Sequence, residues 1–186
     1  MSMGRHIALG LDRLSVQLNR LALVMAVIAV AVMMGAASWQ VIARYLLAQP
    51  PIWTEELARF SMVWAGMMGA SCAFRLKVDP ILFPEALAMR GPLGVLTTLV
   101  RSFGALIFVL VTIWFCIFGA GMDPTRGYIA RLAGRQAETM DLPMMVFGIA
   151  IPLAFAIIVI HILADIARLA LPAPAPSADT IPETAA

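Results

Sequence analysis

Charged residues are scarce in this chain. Of its 186 residues, 13% are Asp, Glu, Lys or Arg and 62% are hydrophobic, whereas ordinary soluble domains are about half apolar and about a quarter charged. The mean hydropathy is +0.92, and the apolar residues come in long uncharged blocks of membrane-spanning length. The composition excludes an ordinary soluble domain and indicates an all-α integral membrane protein.

Residues that hold metals and cofactors are also few. The chain has two cysteines, Cys72 and Cys116, and two histidines, His6 and His161. The cysteines lie far apart inside apolar blocks, so we interpret both as small buried hydrophobic residues. Nucleotide-binding, hydrolase and zinc-protease motifs are missing, and the net charge of +2 without a basic run indicates no nucleic-acid partner. We therefore predict no enzyme activity, no cofactor and no metal.

His161 stands four residues before Asp165. On a helix this spacing places the two side chains on one face, where they can pair near the membrane surface. A proton relay is the alternative interpretation.

The apolar blocks predict four transmembrane helices within a membrane domain at residues 1–170. The predicted spans are about 21–43, 57–76, 93–122 and 142–164. The second block has only 15 uncharged residues between Arg59 and Arg75, roughly 22 Å of helix against roughly 30 Å of hydrocarbon. Its ends must therefore include polar residues. In the fourth span, Pro143 suits a first turn and Pro152 predicts a kink.

Lysine and arginine positions predict the orientation. With the N-terminus inside, eight of these residues lie on the cytoplasmic side and five on the opposite side, and three of the eight precede the first span. We predict that both termini face the cytoplasm. A cleaved signal peptide is the alternative interpretation of the first block. The length of the block and the stretch of residues before it favour a retained anchor.

Three segments flank the spans. Residues 6–20 predict an amphipathic helix with an apolar stripe at Ile7, Leu11, Leu14 and Leu18, which either lies on the inner membrane surface or continues into span one. Residues 78–92 predict a short interfacial helix that ends at Gly91 and Pro92. Residues 171–186, rich in proline and alanine, predict a disordered tail.

The stretch WTEELARF, residues 53–60, places three charges at the start of the short second span. Either Glu55 or Glu56 can reach Arg59 on one helix face, and Trp53 suits the membrane interface. Simple anchoring accounts for this pattern. Burial of the charges against another protein is the alternative, because the short span draws Arg59 toward hydrocarbon.

Small residues recur along the same span. Ala65, Gly69 and Ala73 are spaced by four, as are Gly66 and Ala70. Such a surface lets another helix backbone approach closely. That other helix belongs either to this chain or to a partner.

These residues carry a resemblance to a known family. The stretch WTEELARFSMVWAGMMGASCAFRLKVD resembles the signature region of the small membrane subunit, the Q subunit, of TRAP (tripartite ATP-independent periplasmic) transporters. The matching positions are Arg44 at the end of span one, Trp53, Glu55, Glu56, Arg59, Trp64 and Gly69. The prolines of the fourth span, Pro143 and Pro152, are similar as well.

The resemblance implies a non-catalytic subunit in the bacterial inner membrane. In such systems a large membrane subunit carries the substrate and sodium sites, and a periplasmic solute-binding protein delivers an organic acid transiently. The small subunit serves as a scaffold in the lipid bilayer. The candidate partner-interface residues are Arg44, Trp53, Glu55, Glu56, Arg59, Trp64, Ala65, Gly66, Gly69, Ala70 and Ala73.

Two other classes remain open from the residues themselves. A membrane anchor subunit of a redox enzyme would need paired histidines or cysteines at facing depths. A solitary four-span transporter would need polar residues inside its spans. The sequence has little of either.

Overall fold

The computed structural model describes residues 2–78, 91–119 and 121–169. The predicted tail at 171–186 and nearly all of the predicted interfacial helix at 78–92 lie outside these residues. The described helices are α1 (Ser2–Tyr45), α2 (Trp53–Leu76), α3 (Pro92–Ile117), a 3-10 turn (Pro124–Arg126), α4 (Tyr128–Ala133), α5 (Met145–Gly148) and α6 (Ala150–Leu169). The all-α prediction is confirmed, since the described residues contain no strand beyond one isolated bridge between Gln136 and Pro143.

Three helical segments are long and apolar enough to cross a membrane: Gly4–Tyr45, Pro92–Ile117 and Met145–Leu169. The second predicted span, α2, is not in this set. With 24 residues it is about 36 Å long, so length is sufficient. The charged residues near its ends, together with its glycines and serines, lower its mean hydropathy. The assignment of α2 as a fourth span therefore depends on its position in the bundle.

Several predicted boundaries were wrong. The third span was predicted to reach residue 122, but α3 ends at Ile117 because Phe118 has an extended backbone. The fourth was predicted to begin at 142, but Pro143 takes part in the bridge and the helix begins at Met145. It breaks at Ile149, three residues before Pro152, and resumes at Ala150. Because Pro152 has no N–H, the carbonyl of Gly148 lacks its helical donor.

The first helix is continuous over 44 residues, about 66 Å. Residues 6–20 therefore continue into the first span, which is one of the two predicted arrangements. The predicted apolar stripe faces the bundle only in part. Leu18 packs against the core, whereas Ile7 and Leu14 are 59% and 43% exposed.

Small residues form the packed face of α1 instead. The buried positions recur every seven residues, at Ala8, Ser15, Ala22, Ala29, Ala36 and Ala43. A seven-residue repeat keeps one helix face toward a neighbour over many turns, and small side chains let the backbones approach. Large apolar side chains gain little from burial when the surroundings are lipid, so they occupy the outer face.

The core lies where α1, α2 and α6 meet. One buried cluster joins Ala22 and Ala26 of α1, Met68 and Cys72 of α2, and Ala154 and Ile157 of α6. A second cluster of Val109, Ile158 and Ile162 attaches α3 to α6. Both cysteines are buried, so their interpretation as small core residues is confirmed.

Candidate functional site

Glu56 ties the start of α2 to the loop that precedes α5. Its side chain is 7% exposed and accepts hydrogen bonds from the backbone N–H groups of Glu138 at 2.9 Å and Thr139 at 2.7 Å. The Thr139 hydroxyl donates a third bond. The bond from the Thr139 hydroxyl lowers the pKa of Glu56, and the two backbone donors lower it further. Desolvation of the carboxylate raises the pKa, but the net result is a lowered value. The carboxylate therefore stays ionised while it holds the loop.

Glu55 and Arg59 form a separate, exposed ion pair. Arg59 Nη2 lies 3.2 Å from Glu55 Oε1, and the two side chains are 62% and 69% exposed respectively. Of the two carboxylates predicted to reach Arg59, the structure uses Glu55. The three charges therefore do not form one hydrogen-bonded cluster inside this chain, because Glu56 is engaged by the loop.

A cavity of about 580 Å³ opens beside these charges. Its lining includes three carboxylates and two guanidinium groups, from Glu55, Glu56, Glu138, Arg59 and Arg135. We call these residues, with Thr139, the outer polar layer. The mixture of signs on an open surface suits contact with another polar protein surface better than capture of a single ion.

Two aromatic residues of α2 contact α5 next to this layer. The Trp64 indole N–H donates to the Val146 carbonyl at 3.1 Å, and Phe60 stacks on Phe147 with ring centroids 4.2 Å apart. Trp64, predicted as a partner contact, thus has an internal role. Trp53 and Arg44, also predicted, are exposed at the adjacent ends of α2 and α1.

Part of the small-residue face of α2 is unpacked within the described part of the chain. Gly66 and Ala70 are exposed, and Ala65, Gly69 and Ala73 are partly buried. A Cβ atom added at Gly66 or Gly69 would meet nothing within 4 Å. The buried positions of α2 include Thr54, Ser61, Met68, Ser71 and Cys72. Packing against the chain's own described helices therefore does not account for the glycines.

A second polar layer lies at the other end of the bundle, and we call it the inner polar layer. Asp12 of α1 accepts from Arg75 of α2 at 3.3 Å and from Arg168 of α6. Arg168 also approaches Asp165 at 3.9 Å. One carboxylate thus joins three helices.

His161 completes this layer from inside. Its side chain is 1% exposed, and its Nδ1 lies 2.7 Å from Ser15 Oγ, which also accepts from Arg75. The predicted pairing with Asp165 is not found among the described residues. The partner of His161 is instead Ser15, which is 146 positions away in the sequence. The one sequence signal for Ser15 is its seven-residue spacing with the alanines of α1, which places it on the packed face of that helix.

The two layers are separated by a bilayer's thickness. Glu56 and Arg75 lie at opposite ends of α2, about 28 Å apart along the helix axis. The hydrocarbon core of a bilayer is about 30 Å thick. One turn of polar helix before Arg59 thus precedes the uncharged part of α2 and binds the loop at 138–139.

The described residues bring no cluster of His, Cys, Asp or Glu together that could hold a metal ion. His6 is exposed on α1, more than two helical turns before Ser15, the residue that meets His161. The two histidines are therefore not placed as a facing pair.

Comparison with known proteins identifies one family. A family model described as "Tripartite ATP-independent periplasmic transporters, DctQ component" matches residues 33–171. No curated protein matches the chain. The matched region contains the outer polar layer and the small-residue face of α2, whereas Asp12 and Ser15 precede it.

Proposed function

Because this chain belongs to the DctQ component family of TRAP transporters, we propose that it is the non-catalytic scaffold subunit of a secondary, sodium-coupled transporter that imports an organic acid. Its main partner is the large membrane subunit. The observation that carries the proposal is the unpacked small-residue face of α2, since lipid gains nothing from such a surface while a helix backbone can approach it closely.

The position of charges supports a scaffold role. Between Arg59 and Arg75, α2 carries no charged side chain, and α6 carries none before His161. Ionisable groups inside a membrane usually mark the path of an ion or substrate. Glu56 and Asp12, one in each polar layer, instead join separate elements of this chain, so we assign the substrate and sodium sites to the large subunit.

We propose four spans in the bacterial inner membrane, with both termini in the cytoplasm. The spacing of the polar layers supports α2 as the fourth span, because its middle then crosses the hydrocarbon while Glu56 and Arg75 lie at the two boundaries. The excess of Lys and Arg on the side of the inner polar layer supports the orientation. The outer polar layer then faces the periplasm.

The open cavity of the outer polar layer is proposed as a transient contact for the solute-binding protein. Its charges of both signs offer complementary groups to a polar partner surface. Arg44 and Trp53 lie at neighbouring helix ends and extend this surface.

Gly69→Leu tests the scaffold proposal in cells that co-express the large subunit. A Cβ atom added at Gly69 has nothing within 4 Å among the described residues, so the isolated subunit should insert and fold normally. A bulky residue would hold a partner helix away, and the yield of co-purified large subunit should fall at least several-fold.

Gly104→Leu is the matched control, because Gly104, an exposed glycine on α3, likewise has nothing within 4 Å of an added Cβ. It should leave the subunit ratio unchanged. If Gly69→Leu retains the large subunit at the wild-type ratio, this face is exposed to lipid and the proposed interface is wrong.

A further inference from the structure

Two buried polar atoms have no hydrogen-bond partner among the described residues: Nε2 of His161 and Oδ1 of Asn19. Buried polar groups in native proteins are nearly always satisfied, by protein atoms or by ordered water. Each unsatisfied group in a low-dielectric interior is costly. Two such atoms in one bundle therefore point to a bound group that satisfies them.

The hydrogen-bond chain determines what His161 Nε2 offers. The Arg75 guanidinium only donates, so Ser15 Oγ is the acceptor in that bond. His161 Nδ1 lies 2.7 Å from Ser15 Oγ, and we assign the Ser15 hydroxyl proton to this contact, because Ser15 makes no other hydrogen bond through that proton among the described residues. Since Nδ1 accepts, the proton of the neutral imidazole is on Nε2. The unsatisfied atom of His161 is therefore a donor, and that of Asn19 is an acceptor.

Both residues lie on helices of the same three-helix junction, and both unsatisfied atoms are buried. Asn19 lies one turn after Ser15 on α1, and its backbone carbonyl accepts from the Cys72 thiol of α2 at 3.6 Å. One further turn along, Ala22 packs in the cluster that contains Ile157 of α6. Along the bundle axis, Asn19 therefore lies between the Ser15–His161 contact and Ile157, which is one turn before His161 on α6.

We propose that this junction binds one internal water molecule. The water accepts from His161 Nε2–H and donates to Asn19 Oδ1, which satisfies both atoms. It extends a hydrogen-bond chain that runs from Asp12 through Arg75, Ser15 and His161 into the bundle. The inference concerns how this chain holds its helices together and does not depend on the proposed transport function.

Nitrogen NMR of the histidines tests the site directly. In a His6→Gln background, His161 is the only histidine, so [15N]histidine labelling of the protein in lipid nanodiscs reports that ring alone. We expect the tautomer with Nε2 protonated and Nδ1 bare, and transfer of magnetisation between Nε2–H and water. A ring protonated on Nδ1, or an Nε2–H without contact to water, would overturn the proposal.

Two variants distinguish a bridging water from a direct bond between the side chains. Asn19→Leu removes the acceptor and should abolish the transfer from water while the tautomer stays unchanged, because Ser15 still donates to Nδ1. Ser15→Ala should instead lose the tautomer preference. A coupling from Nε2–H directly to the Asn19 amide would show a bond without water and also refute the site. If a variant fails to fold, the two measurements in the His6→Gln protein still decide the question.

Discussion

Ala22→Leu would test whether the seven-residue repeat of small side chains is the packed face of α1. Ala22 is fully buried, and its cluster includes Met68 and Cys72 of α2 and Ile157 of α6. Leucine adds three carbon atoms at a point of close helix approach. Ala and Leu have similar helix propensities, so the change acts on packing rather than on the stability of α1 itself.

Inserting extra carbons into a close-packed core typically costs about 1–3 kcal/mol. At about 1.4 kcal/mol per tenfold change, the ratio of folded to unfolded protein should fall by about 5- to 150-fold. Taking about 2–4 °C per kcal/mol for a chain of this size, we expect the melting temperature to fall by about 2–12 °C. Thermal unfolding in detergent, followed by tryptophan fluorescence and size-exclusion chromatography, measures this shift.

Ala31→Leu is the matched control, since Ala31 is on the exposed face of the same helix. It should change stability by less than about 0.5 kcal/mol. Equal melting temperatures for the two variants would refute the assignment of the small-residue face as the packed one. A lower melting temperature for Ala31→Leu would show that α1 packs through its opposite face.

Three further outcomes follow from the polar layers. Because the pKa of Glu56 is lowered from 4.5, its contribution to stability is present above about that pH and is lost as the pH falls from there through the folded-state value. Glu56→Gln should lose this pH dependence below about pH 4.5, and an unchanged melting profile would argue against the loop contact. Arg59→Ala removes an exposed pair, so the melting temperature of the isolated subunit should change little, while binding of the solute-binding protein to the assembled transporter should weaken because Arg59 lines the proposed contact. Arg126→Ala, which also removes an exposed pair, should alter neither, and equal binding of the solute-binding protein to the two arginine variants would contradict that proposed contact. Thr125→Cys, in a background without the native cysteines, should react with an impermeant thiol reagent in intact cells; protection there with labelling only after lysis would reverse the proposed orientation.

Much of the architecture was predictable from the sequence because membrane burial leaves a strong compositional signal. Long uncharged blocks predicted the helices, and the matched family confirms the resemblance carried by Trp53, Glu55, Glu56 and Arg59. Helix ends were less predictable. Phe118 and Pro143 adopt conformations that depend on loop contacts, such as the bridge to Gln136, and these contacts are not visible in local apolar patterns.

Composition and motifs are enough to identify a helical membrane protein, its family, and the charged residues that bound the uncharged part of α2. Which helix faces pack could be read only from the folded chain, because in lipid a large apolar side chain gains little from burial and hydrophobicity no longer marks the core. The contacts of Glu56 with Thr139 and of Ser15 with His161 are likewise visible only in the structure, because the paired residues are 83 and 146 positions apart in the sequence. Such partners are chosen by the antiparallel stacking of whole helices, which brings distant residues to the same depth.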